Sequence, residues 1–208
     1  MTTIVDRENK QIYRDGDKLV KVFDEKVYTK AQVLNEALNT EETGLKIPKL
    51  LDVGKVDGGW AITREYIEGK SLAEIMAENP DKEDEYLEKF VDLQMEIHAK
   101  KCPLLNKIKD KMHAKISASS YEATLRYDLH NRLEGMKPHT KVLHGDFNPS
   151  NVIVTPDGEY YIIDWAHATQ GNASEDIART YLVFNLEGQK ELAEKYFDLI
   201  CKKADIPK

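Results

Sequence analysis

Cysteine is scarce: Cys102 and Cys201 are the two in 208 residues, far apart and outside any Cys-x-x-Cys or Cys/His spacing. A disulfide framework, a zinc knuckle and a redox pair are thereby excluded, and both side chains are expected as reduced structural thiols. Long apolar runs are missing as well, with nothing near the roughly 18 residues that span a bilayer. The N-terminal stretch Met1-Thr2-Thr3-Ile4-Val5-Asp6-Arg7-Glu8 has no apolar signal core, so a cytoplasmic protein without a membrane partner is expected. Basic excess is absent too: 30 Lys and Arg against 37 Asp and Glu leave a net charge of -7. That balance argues against a nucleic-acid partner, because a phosphate backbone is held by clustered cations. No internal repeat, heptad series or low-complexity tail is present.

What is present suits a globular chain, 41% hydrophobic and 32% charged, long enough for one domain or two small lobes,. Period-two patterning predicts a hairpin over 10–23 around Asp15-Gly16, and two more strands, Lys49–Val56 and Trp60–Tyr66, around Asp57-Gly58-Gly59,. A helix from about Tyr28 to Glu42 fits between them, its apolar face read as Val27, Ala31, Leu34 and Leu38. After Gly69 the pattern turns helical: a short helix capped by Ser71, a long one from about Glu83 to Lys100, and others near 104–117 and 119–135,. A helix capped by Ser174 and a last one near 188–203 complete the order. Strands first and helices later argue an α+β fold, with residues 1–68 and 69–208 as the two parts.

The densest chemistry lies in Val142-Leu143-His144-Gly145-Asp146-Phe147-Asn148-Pro149-Ser150-Asn151, followed by Tyr161-Ile162-Ile163-Asp164-Trp165. Two β-branched runs flank Thr155-Pro156-Asp157-Gly158-Glu159, which reads as a hairpin turn,. A turn centred between Asp157 and Gly158 would set Asn151 opposite Asp164, so that both side chains meet at the hairpin's open end. Magnesium takes oxygen ligands, keeps several waters and uses one or two carboxylates plus substrate phosphates, so this pair would suffice. Asp146, on a Gly- and Pro-punctuated loop, would remain free to deprotonate an attacking hydroxyl.

His144-Gly145-Asp146-Phe147-Asn148-Pro149-Ser150-Asn151 and Ile162-Ile163-Asp164-Trp165 resemble the catalytic loop and metal-binding segment of the aminoglycoside phosphotransferase family. The resemblance spans roughly Lys10 to Leu186. It implies a protein-kinase-like bilobal fold, a small antiparallel β-sheet lobe with one helix plus a mainly helical C-terminal lobe. It also implies ATP and Mg2+ as cofactors and a hydroxyl-bearing small molecule, aminoglycoside-like or other, as acceptor. By the same likeness Asp146 is the base, His144 orients the loop, and Asn151 and Asp164 hold the metal. Lys21 matches the strand lysine that steadies phosphates, and Glu36 the helix glutamate that pairs with it; Lys18 and Glu41 are the competing choices. The carbonyl of Glu65 and the N–H of Ile67 match the hinge groups that hold adenine. Arg64 would border the inner pocket or else face outward with its strand.

Asp176 resembles the aspartate that ties a following helix to the catalytic loop, and otherwise reads as a favourable first-turn acid. His98 reads as a core or capping histidine. Glu122, Asp128, Glu134 and Glu187 could receive a cationic acceptor or simply face solvent. One further absence matters here: the loop over the phosphates, Val5-Asp6-Arg7-Glu8-Asn9-Lys10, contains no glycine, where backbone N–H groups commonly approach phosphate,. That gap opens the alternative of a nucleotide-binding pseudokinase with little turnover. A protein kinase is disfavoured, since Asp164-Trp165-Ala166 replaces Asp-Phe-Gly and no long activation segment follows.

Overall fold

The computed structural model describes residues 2–7, 9–38, 43–57 and 59–206. The chain divides into two compact units, Met1–Phe90 with Asn148–His167, and Val91–Phe147 with Ala168–Lys208.

The first unit begins with strands β1 (Thr2–Arg7), β2 (Lys10–Asp15) and β3 (Lys18–Asp24), then helix α1 (Lys30–Leu38) and strands β4 (Leu50–Val56) and β5 (Gly59–Glu65). The strands form one antiparallel sheet in the order β1-β2-β3-β5-β4. A charged N-terminal segment gave no strand signal for β1, yet it pairs with β2 from Thr2 opposite Arg14 to Arg7 opposite Lys10. Phe23, Val33, Ala37 and Ile62 form the buried core between sheet and helix. Among the described residues the buried face of α1 is Val33, Glu36 and Ala37, while Val27 is 48% exposed. Of the expected apolar face, Val27 is corrected, since it precedes the helix and is exposed, Leu34 is half-buried, and the side chains of Ala31 and Leu38 lie outside the described residues. The end of the helix expected at Glu42, and Glu41 with it, lie outside the described residues.

Strand β6 (Lys70–Ser71) leads into helix α2 (Leu72–Glu78), where Ser71 and Glu74 form the reciprocal capping box that satisfies the first free N–H groups,. Helix α3 (Glu83–His98) follows and enters the second unit after Phe90. In that unit lie α4 (Ile108–Ala118), α5 (Ala123–Gly135) and the short strand β7 (Lys141–Leu143). The Ser119-Ser120 break shortens the expected 119–135 helix at its start.

Back in the first unit, β8 (Val152–Val154) pairs with both β6 and β9 (Tyr160–Ile162). Thr155 N–H donates to the Glu159 carbonyl at 2.9 Å, and Gly158 takes φ 83°, a conformation that suits glycine,. The turn is thus centred on Asp157 itself. Val152 faces Ile162 and Val154 faces Tyr160, one residue off the register expected for Asn151 and Asp164. The second unit closes with β10 (Thr169–Gly171), antiparallel to β7, and helices α6 (Ala173–Leu186) and α7 (Lys190–Ala204). The N-cap of α6 is Asn172, whose side-chain oxygen accepts from Ser174 N–H, rather than Ser174 itself. Phe184, Tyr196 and Ile200 are almost wholly buried there, and Cys102 and Cys201 are free, buried thiols. Among the described residues no helix is long and apolar enough to cross a membrane.

Candidate active site

In the first unit, a cavity of about 140 Å³ opens between sheet, helix and hairpin. Its apolar walls come from Ile12, Leu19, Ile47, Pro48, Ile62 and Trp165, and its polar groups from Lys21, Glu36, Arg64, Asn151 and Asp164. Four of the eight residues singled out from the sequence are brought together here. Period two on β3 aims Lys21 inward with Leu19,, while Lys18 is exposed at the strand's start. Lys21 Nζ is paired with Glu36 and donates to Asp164 Oδ1 at 2.7 Å. Burial pulls its ammonium pKa down, but the charges and hydrogen bonds of Glu36 and Asp164 outweigh this and hold it above an ordinary lysine,.

The shifted hairpin register explains how Asp164 still reaches this space. Ile163, not Asp164, lies beside Asn151, with Ile163 N–H donating to the Asn151 carbonyl at 2.9 Å. Asp164 then adopts φ 59°, the left-handed region that few non-glycine residues enter,. Its carboxylate thereby turns to Lys21, and Lys10 Nζ approaches the same oxygen at 3.7 Å. Lys10 was not anticipated, although its period-two partner on β2, Ile12, lines the cavity. Burial, then the positive charge of Lys21, push the Lys10 pKa below its usual value.

Arg64 faces the cavity rather than away from it. Its guanidinium donates to the carbonyls of Pro48 at 2.7 Å and Ala37 at 2.9 Å, with Glu36 O at 3.4 Å. The Glu36 and Ala37 carbonyls belong to the last turn of α1, so the long cation occupies a C-terminal capping position,. Glu65 ends β5, and Ile67 follows in the segment leading to β6. Neither is among the described residues lining this cavity. The connection between β1 and β2 is the glycine-free Glu8-Asn9, of which Glu8 lies outside the described residues.

The second unit carries His144 and Asp146. His144 is fully buried, and its Nδ1 accepts from Asp146 N–H at 3.3 Å. Gly145 between them takes φ 77°, which lets the loop turn sharply,. Three residues on one face of α6 hold this loop. Buried Asp176 accepts from His144 N–H at 3.1 Å and Gly145 N–H at 2.7 Å. Thr180 Oγ1 donates to the Phe147 carbonyl at 2.8 Å, and Arg179 Nη2 donates to Asp146 Oδ1 at 2.9 Å. Their i, i+3, i+4 spacing is the signal that would have found Arg179 once Asp176 was placed. His98 Nε2, at the end of α3, meets Asp176 Oδ2 at 3.1 Å, the oxygen that also accepts from His144 N–H. Burial favours the neutral form of Asp176, but the His98 hydrogen bond, the electrostatic influence of the His98 and His144 rings and the Gly145 N–H hold its carboxyl below the usual range.

A buried lysine–glutamate pair lies beside an aspartate and an asparagine in the first unit, and a backbone-tethered loop aspartate lies in the second. The model of the phosphotransferase enzyme family matches residues 6–207, and the chain belongs to that family. No curated protein gave a significant match. Among solved structures, a thermostable mutant of aminoglycoside phosphotransferase APH(4)-Ia, in ternary complex with ADP and hygromycin B, is similar over 97% of this chain and 78% of its own. That match has a TM-score of 0.70 and 15% identity. Aminoglycoside-3'-phosphotransferase of type VIII matches over 99% of this chain and 87% of its own, with TM-score 0.68 and 16% identity. Choline kinase LicA from Streptococcus pneumoniae matches over 96% and 75%, with TM-score 0.61 and 18% identity. The kinase-like α+β fold is therefore shared with these enzymes.

Proposed function

We propose that this chain is an ATP- and magnesium-dependent small-molecule kinase, moving the γ-phosphoryl group to a hydroxyl of its acceptor. The observation that carries the proposal is Lys21, buried and held by Glu36 and Asp164 in a cavity that also contains Asn151. The donor set fits magnesium. Asn151 and Asp164 offer hard oxygens, and no group of three or more His, Cys, Asp or Glu able to hold a metal exists among the described residues. An ion resting on two protein ligands, waters and phosphate oxygens is what magnesium prefers.

When bound, magnesium and ATP supply charge neutralisation and the transferable group. The chain supplies placement. Lys21 steadies the α- and β-phosphates, and Glu36 fixes its ammonium in one rotamer. The carbonyl of Glu65 and the N–H of Ile67 hold the base, within a nucleotide lobe of residues 1–68. In the remaining lobe, 69–208, Asp146 orients the acceptor hydroxyl and takes its proton, while His144 Nδ1 fixes the backbone on which Asp146 rides. Positioning and fixed charge would account for most of the rate, as a loose transition state requires. ATP and magnesium are both supplied in the cytoplasm, where we place the enzyme. The printed relatives, aminoglycoside phosphotransferases and a choline kinase, support a small hydroxyl compound as acceptor.

Asp164→Ala tests this directly: magnesium-dependent nucleotide binding should disappear, and unaltered turnover would refute the metal role of Asp164. A binding-only pseudokinase is favoured by one feature, the pairing of the candidate base Asp146 with Arg179. Thermal shift with ATP and magnesium, run beside ATP consumption over an alcohol panel, separates the two. Stabilisation without turnover on any acceptor would favour the pseudokinase.

A further inference from the structure

The charge set against Asp146 is positive. Arg179 contacts it directly, and both side chains are partly open to solvent, 47% and 28% exposed. Such a half-exposed pair is weak and readily exchanged for another partner. A second source of positive charge lies on α4. Lys111 and Lys115 are four residues apart and so share one helix face,. Lys111 is half-buried; its pKa is lowered by burial first, then by the positive charges of Lys115 and Arg179.

The acidic residues considered for a cationic acceptor are exposed or already paired. Glu122, Asp128, Glu134 and Glu187 all face solvent. Glu134 is taken by Lys109 at 2.8 Å and by His113 Nε2 at 2.7 Å.

We infer that the acceptor is an anionic alcohol, a hydroxyl compound bearing a carboxylate or phosphate, and that Arg179 binds this anion. The inference rests on the phosphotransferase reading of Asp146. Arriving anion and departing pair are linked: the acceptor's negative group takes the Arg179 guanidinium, whose planar fork suits carboxylate and phosphate alike, and releases the Asp146 carboxylate to the hydroxyl. The hydroxyl then loses its proton to Asp146 as its oxygen bonds the γ-phosphorus and the bridging P–O bond breaks, leaving ADP. An ammonium-bearing alcohol would meet the like charge of Arg179 at Asp146.

The test is an acceptor panel matched in size and differing in charge: glycerol as neutral, glycerate and glycerol 3-phosphate as anions, choline and serinol as cations. Larger sugar alcohols, sugar acids, sugar phosphates and amino sugars extend each class. Product is read as a mass gain of about 80, one transferred phosphoryl group. Turnover should favour the anionic class, with glycerate and glycerol 3-phosphate arms separating carboxylate from phosphate recognition. Arg179→Gln should then raise KM for the anionic acceptor about 10- to 100-fold, the loss of one charge-assisted contact. Nucleotide affinity should hold, and Arg179→Lys should recover part of the loss, also guarding against a folding defect. Equal or greater kcat/KM on neutral or ammonium-bearing alcohols would overturn the anionic assignment while leaving the kinase. Product from no class, with nucleotide bound, would overturn the kinase reading and the assignment together.

Discussion

Replacing Lys21 with Met probes the interaction on which the candidate site is built. The Lys21 and Glu36 side chains are only 9% and 10% exposed. Removing the cation strands a carboxylate in a low-dielectric site, a change that costs about 3–5 kcal/mol when a buried pair loses one partner. The Asp164 contact adds little, because its side chain is 37% exposed and water screens it,. Lys21→Met should therefore destabilise by about 3 kcal/mol, lowering the melting temperature by roughly 6–12 °C for a chain of this size. Glu36→Leu in the same background should restore most of that, since an apolar pair of similar volume is often as stable as a buried ion pair. Nucleotide binding should stay lost in both. A raised lysine pKa stabilises fully below the unfolded value of about 10.4 and fades as pH climbs through the folded one. The coupling measured by the double-mutant cycle should thus be flat from about pH 6 to 9 and shrink only in strong alkali. A single-mutant cost under about 1 kcal/mol, or strict additivity of the two changes, would refute the reasoning.

Two further outcomes follow from α6. Asp176→Ala removes the acceptor for two loop N–H groups and His98, so unfolding free energy should fall by about 3 kcal/mol and turnover should fall with it. The depressed Asp176 pKa contributes stability above the unfolded value, lost as pH falls through the folded one, so the variant's acid unfolding profile should be flatter below about pH 4; an unchanged acid limb would contradict this. Glu175 has a buried Oε2 with no hydrogen-bond partner among the described residues, and burial, then the Asp176 charge, raise its pKa. Glu175→Gln should therefore gain up to about 1 kcal/mol at pH 7, discounted for partial exposure, and nothing near pH 4. Urea denaturation at the two pH values checks it.

Particular residues show how far the sequence carried. Period two was enough to aim Lys21 inward, because a strand has only two faces and Leu19 marked the buried one. The hairpin at 152–162 was legible from its β-branched runs and Asp-Gly turn, but its register was not. An odd-numbered turn centred on Asp157 displaces the pairing by one residue, and Asp164 is returned to the cavity by a left-handed φ that no propensity announces. Arg64 looked out of place because its partners, the ends of α1 and the Pro48 carbonyl, are distant in sequence. The pairing of β7 with β10 is likewise non-local, and three-residue strands give too short a pattern to detect. Arg179 was hidden by being an ordinary helix arginine until Asp176 fixed which face of α6 meets the loop.

The proposed role of Asp146 is in phosphoryl transfer from ATP to an alcohol. It is tested most directly by incubating wild type and Asp146→Asn with magnesium, ATP and the mixed acceptor panel, and following both ADP release and phosphorylated product by mass. Wild type should yield product and ADP in equal amounts, and Asp146→Asn should bind nucleotide with the same affinity yet lose product by about 100-fold or more. Equal product from both proteins would contradict the account.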